Sequence, residues 1–138
     1  MSQENVEIVR RGYELLNSGQ LEEAFALYHP EIEVHLAKDP DGVVGLDFRE
    51  TYRGVEGILQ FLSQISEAWE DPSWVPEDYR DAGDQILVYI RFTGRGKSSG
   101  IEIERPMAHV NTVRDGKVVR HETFWDRAEA LEAVGLRE

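Results

Sequence analysis

The stretch Arg114-Asp115-Gly116-Lys117-Val118-Val119-Arg120-His121-Glu122-Thr123-Phe124-Trp125-Asp126-Arg127-Ala128-Glu129-Ala130-Leu131 decides the fold, because a turn, a strand and a capped helix follow one another in it without a break. Asp115-Gly116 between two alternating, β-branched runs predicts a hairpin, since both residues tolerate the positive φ that tight hairpin turns demand. Asp126 with Glu129 three residues on has the form of a capping box, and Ala128, Leu131 and Val134 supply an apolar stripe, so a short terminal helix is expected.

The hairpin leaves two registers open. A three-residue loop with a glycine bulge sets Met107, His109, Asn111 and Val113 on one face with Val119, His121, Thr123 and Trp125. A two-residue turn sets Glu122 opposite His109 instead. We favour the first, because it sends Arg120 and Glu122 to one face where water or a partner solvates them, and leaves Val113, Val119 and Trp125 toward the helices; burying a charged pair costs more.

Working back along the chain, strands are expected at about Trp74 to Asp81, Gln85 to Gly94 and Ile101 to Val113, joined to Lys117 to Trp125 by short turns and so antiparallel. Gly54 to about Glu70 reads as the main helix, with Val55, Ile58, Leu59, Leu62, Ile65 and Trp69 on one broad face. Ahead of it, Asp39-Pro40-Asp41-Gly42 opens a turn-rich connection through Gly45 and Arg49 to Tyr52, long enough for a pocket rim or a flap. Ile32, Val34 and Leu36 alternate with Glu33 and His35 as a half-buried strand. Two helices open the chain. Ser2 caps the first, whose apolar face is Val6, Val9, Tyr13 and Leu16 and which Asn17-Ser18-Gly19 stops. Leu21, Ala24, Phe25 and Tyr28 carry the second up to Pro30. Helices first and a strand meander last make an α+β pattern.

One domain over residues 1–138 is expected, with no repeat, low-complexity tract or linker; a chain of 138 residues can bury roughly two thirds of its unfolded surface. The net charge of −12 opposes nucleic acid and anionic membranes, because phosphates are neutralised by Lys and Arg. No cysteine means no disulfide, thiolate nucleophile or zinc–thiolate site. The first residues lack a signal-peptide pattern, and no run reaches the ~18 apolar residues of a membrane span. The expectation is a soluble, cytoplasmic protein with neither nucleic acid nor membrane as partner.

Gly96-Lys97-Ser98-Ser99-Gly100 matches the G-x-S-x-G string, but the elbow needs a helix after it, and Ile101-Glu102-Ile103-Glu104 alternates like a strand; a hairpin loop is expected. His29, His35, His109 and His121 show no metal-ligand spacing, so no metal or cofactor is expected. His109 reads either as a hydrogen-bonded core histidine or as a pocket acid, base or donor, imidazole titrating near neutrality. Arg91, in an apolar strand, is a strand-end charge reaching water or a pocket cation. Tyr13, Tyr52, Trp69 and Trp125 sit at core-facing spacing and are either packing or ligand contacts.

The order of elements, with Tyr52-Arg53-Gly54-Val55-Glu56-Gly57-Ile58 opening the main helix and Asp115-Gly116-Lys117-Val118-Val119 opening the last strand, resembles the SnoaL-like branch of the NTF2-like superfamily over nearly the whole chain. The resemblance implies a cone-shaped α+β barrel: a strongly bent antiparallel sheet wrapped around a long helix, with N-terminal helices, a short C-terminal helix, an inner cavity and an outer sheet face used for homodimers. Its functions range over polyketide cyclases, ketosteroid isomerases, epoxide hydrolases, dehydratases and binding modules. Carried over residue by residue, the ketosteroid isomerase tyrosine and two acids fall at Gly12, Leu36 and Ala108, and the acid/base aspartate of the cyclases at Thr123. None of the four matches. The arginine and aspartate that epoxide hydrolases set on a strand find no acid between Gln85 and Gly94. His109 does match the histidine that cyclases set near their aspartate.

The resulting expectation is a cavity for a small apolar organic ligand, oriented by His109, Arg91, Asn111 and His121. Proton transfer next to a carbonyl would use His109 as base and Arg91 or Tyr52 at the oxyanion, with a pH dependence near neutrality. The competing expectation is a non-catalytic binding or dimerisation module that has lost the family's acids.

Overall fold

The computed structural model describes residues 2–37 and 51–136. The expected turn at Asp39 to Gly42 and the rim or flap through Gly45 and Arg49 lie outside them, as does the capping side chain of Ser2. The elements are α1 (Ser2–Asn17), α2 (Leu21–Phe25), β1 (Tyr28–Leu36), β2 (Thr51–Arg53), α3 (Gly54–Ala68), β3 (Trp69–Ala82), β4 (Gln85–Gly96), β5 (Glu102–Arg114), β6 (Lys117–Phe124) and α4 (Arg127–Ala133).

Several boundaries differ from the sequence reading, and one short strand is added. Tyr28 opens β1 instead of closing α2, because Pro30 holds the residue before it extended and the chain straightens early. Trp69 is not the last turn of α3: it is already extended, at φ −128 and ψ 137, and begins β3. Thr51–Arg53 pairs with β1, Tyr52 lying opposite Val34.

The strands form one sheet in the order β2-β1-β6-β5-β4-β3. It is not wholly antiparallel, since β1 runs parallel to β6. Helix α3 touches β1 and β2 at one end of that order and β3 at the other, which requires the sheet to bend around it. Among the described residues the bend stops short of closure, with β2 and β3 at its two edges. On the inner face Val9 and Tyr13 of α1 and Ile58 and Ile65 of α3 pack against Ile32, Val34, Ile86, Val88, Ile90, Phe92, Met107, Val113 and Val118. On the outer face α4 lays Ala130 and Leu131 over Leu87, Tyr89, Ala108 and Val110. Coverage on both sides explains why Ile86-Leu87-Val88-Tyr89-Ile90 is apolar without alternation.

The last hairpin combines features of both registers considered. Arg114 pairs with Lys117 across a two-residue turn in which Asp115 has φ 50 and Gly116 φ 76. An extra residue, Val119, then stands between the pairs Val113–Val118 and Thr112–Arg120. This bulge restores the register that a three-residue loop would have given: Asn111 faces His121 and His109 faces Thr123. Val118, not Val119, therefore packs inward with Val113, while Arg120 and Glu122 form a 3.3 Å ion pair.

Asp126 caps α4 by accepting from the Ala128 amide at 2.8 Å; the reciprocal bond from Glu129 is not made among the described residues. Replacing Asp126 with Ala should lower the unfolding free energy by ~1 kcal/mol in urea titrations, and Asp126→Asn should cost much less. Equal stability of Asp126→Ala and the parent would show that the cap is idle.

Candidate functional site

Four polar side chains from three elements meet on the inner face. Helix α1 carries Tyr13 one turn after Val9 and is held at both ends: Asn5 Nδ2 donates to Gly83 O at 3.2 Å, and Asn17 exchanges two bonds with the Trp74 backbone at 2.9 and 3.1 Å. Tyr13 Oη is 2.7 Å from His109 Nδ1 and accepts from Asn111 Nδ2 at 3.1 Å. Asn111 Oδ1 in turn lies 2.8 Å from His121 Nδ1. The two imidazoles meet edge to face with centroids 4.3 Å apart, and the Tyr13 ring stacks on His109 at 5.9 Å. His109, Asn111 and Tyr13 are 4%, 5% and 7% exposed, whereas His121 is only half-buried and is the member nearest to solvent.

Burial sets the charge of this cluster. It holds His109 well below the ordinary imidazole range, with the neighbouring His121 adding to the effect, and pushes His121 down to about 4. The Tyr13 phenol is raised for the same reason. All four groups are thus uncharged at neutral pH, and the expected titration near neutrality moves to acid.

The remaining expected site residues are placed differently. Arg91 stands opposite Pro106 on the unbroken β4–β5 ladder, one step out of phase with the Val88–His109 pair, so it points to the other side of the sheet. There it binds Glu77 and Glu104, each at 3.1 Å, and does not join His109. Tyr52 shares the inner face, but Val34 separates it from His121 in the same cross-strand row, and its hydroxyl donates to Gln64 Oε1 at 2.5 Å. Trp69 packs edge-on against Phe92 at 6.3 Å. Trp125 donates to Ala37 O at 2.8 Å beneath the Arg105 guanidinium.

Nothing in the sequence marks Gln64 or Glu77, whose partners, Tyr52 for the one and Arg91 and Arg127 for the other, lie on separate elements. The loop after Gly96 turns between β4 and β5, as the strand pattern of Ile101 to Glu104 required. Among the described residues no three metal-ligating side chains gather. No helix among them is long and apolar enough to cross a membrane. A separate groove of about 680 Å³ is lined by Glu33, Asp84, Thr112, Arg120 and Glu122, and the imidazole cluster has no part in it.

The family model of the SnoaL-like domain matches residues 9–121. Among solved structures, TerC co-crystallised with polyporic acid superposes with a TM-score of 0.76 at 23% identity, over 95% of this chain and 98% of that one. An NTF2-like protein from Burkholderia xenovorans LB400 superposes with 0.75 at 26% identity, over 98% of both chains. A protein from Jannaschia sp. CCS1, described as a candidate SnoaL-like polyketide cyclase, gives 0.72 at 19% identity, over 100% of this chain and 96% of that one. No curated protein matches the chain in sequence.

Tyr13→Phe leaves a buried amide hydrogen of Asn111 and a buried nitrogen of His109 without partners, and should cost about 1–3 kcal/mol in urea unfolding. The imidazoles also make stability depend on pH. Their folded-state values lie below the ordinary 6.5, so the unfolded chain binds more protons in mild acid. Stability should be full above pH 6.5 and fall as pH drops from there toward about 4. Urea midpoints at pH 7.5 and 5.0 check the sign; His121→Gln should flatten the difference, and equal midpoints in the parent would contradict the assignment.

Proposed function

The chain belongs to the SnoaL-like family, and from that membership we propose that it binds a small apolar carbonyl compound on the inner face and catalyses proton transfer beside the carbonyl without a cofactor. The observation that carries the reading is the hydrogen-bonded chain His109–Tyr13–Asn111–His121, drawn from α1, β5 and β6 on the concave side of the sheet. TerC, of the same fold, was co-crystallised with polyporic acid, which accords with a site for an organic molecule.

An imidazole pair 4.3 Å apart suits this chemistry. One ring takes the α-proton, the C–H pair moves toward the carbonyl oxygen, and the other ring holds that oxygen by a hydrogen bond. The proton then returns to carbon, or the enolate carbon bonds to a second carbonyl carbon of the same molecule, whose π pair moves onto its oxygen, and the alkoxide so formed takes the proton back from the imidazolium. Arg91 has no place in this step, being on the far side of the sheet and engaged with Glu77 and Glu104. The Tyr52 hydroxyl hydrogen is already given to Gln64. A second reading, a binding module without turnover, is favoured by the low exposure of His109, Asn111 and Tyr13. We also propose that the chain forms a homodimer, which sedimentation of the full chain tests.

Deuterium exchange at the α-carbon of polycyclic ketones and lactones, followed by NMR, tests the activity. The protein should accelerate exchange for at least one of them, and His109→Ala and His121→Ala should each reduce the rate by about 10² or more while remaining folded. The rate should stay level through neutrality and fall only toward pH about 4, where His121 becomes charged. Exchange at parental rates in both variants sinks the proposal; tight binding with no exchange assigns the module reading.

A further inference from the structure

We infer that Tyr13 and Asn111 lock the two imidazoles in opposite tautomers, so that one ring carries a bare Nε2 and the other an Nε2–H, on rings whose centroids are 4.3 Å apart. The hydrogen bonds impose this by elimination. Asn111 Nδ2 has only hydrogens to offer, and it gives one to Tyr13 Oη at 3.1 Å. Tyr13 Oη has only these two hydrogen-bond partners among the described residues, so with Asn111 as the donor its own hydrogen goes to His109 Nδ1, 2.7 Å away. A neutral ring that accepts at Nδ1 carries its hydrogen on Nε2. At the other end Asn111 Oδ1 can only accept, so His121 Nδ1, 2.8 Å away, holds the hydrogen and its Nε2 is bare.

The roles of the two rings follow, resting here on the proposed proton transfer. His121 Nε2 is the base: it takes the proton as the C–H bond breaks, and gives it back to carbon when the new C–H bond forms. His109 Nε2–H is the donor to the carbonyl oxygen on which the electron pair is held between those events. The half-burial of His121 and near-complete burial of His109 fit a base met by the ligand and a donor set behind it. Asn111 is then a positioning residue, acting through His121. Among the described residues, the titratable groups in and around the cluster are the two imidazoles and the Tyr13 phenol, with the phenols of Tyr28 and Tyr79 close enough to act on Tyr13, while Glu33 and Glu122 line the groove apart from it.

Long-range ¹H–¹⁵N correlation on the ¹⁵N-labelled full chain reads each ring directly at neutral pH, with no substrate. His121 should show a protonated Nδ1 and a bare Nε2, and His109 the reverse. Tyr13→Phe should release His109 into a mixture of tautomers while His121 keeps its own. Asn111→Asp should keep His121 protonated on Nδ1 and raise its titration by roughly one unit or more. Matching tautomers in the parent, the opposite assignment with Asn111 turned over, or an unmoved His121 titration in Asn111→Asp would each overturn the inference. Absence of exchange on every ketone overturns the proposed function instead, and leaves these spectra to judge the tautomers alone.

Discussion

The inner cluster depends on one extra residue in the last strand. Had β6 continued from the Asp115-Gly116 turn without interruption, Glu122 would lie across from His109, and a carboxylate and Arg120 would face the apolar interior. Val119 takes up the odd step, so every side chain beyond it changes sides relative to that regular ladder. His121 and Thr123 thereby join His109 and Asn111, and Arg120 and Glu122 keep each other company on the other face. The bulge is a local irregularity with a long reach, because strand alternation carries its effect to the end of the strand.

Burial then converts that geometry into chemistry. Four polar groups on an apolar face are costly unless they satisfy one another, and here three hydrogen bonds link them in a single chain. The same burial keeps both imidazoles neutral, which makes them available as bases and donors over the whole physiological range at the expense of basic strength. The outer face shows the opposite solution. Charges there meet near solvent: Glu77 joins Arg91 to Arg127, and Arg127 also donates to the backbone of Ile90 and Met107, tying the start of α4 to the sheet.

Much of the fold was legible because it is written locally. The Asp-Gly turn, the Asp126 cap, the alternation of β1 and the periodicity of α1 and α3 each depend on residues a few positions apart. The family pattern joined them into an α+β sheet bent around a helix. What was not legible depends on distant partners. The parallel pairing of β1 with β6 joins residues nearly ninety positions apart, as in Val34 with His121. The side on which Arg91 falls is set by a ladder to β5, and an apolar run such as Ile86 to Ile90 gives no phase from which to read it. Tyr13, His109, Asn111 and His121 were all singled out, but their linkage through Tyr13 needed the docking of α1, which no spacing encodes. The bulge position was hidden for another reason: Val118 and Val119 are the same residue type, so either could have turned inward.

The central claim is that the imidazole pair on the inner face, and not the polar groove, receives the ligand. Intermolecular NOEs between a bound polycyclic ketone and the labelled full chain test it most directly. Contacts are expected from the ligand to the ring protons of His121 and His109. Contacts confined to Thr112, Arg120 and Glu122 of the groove would contradict it.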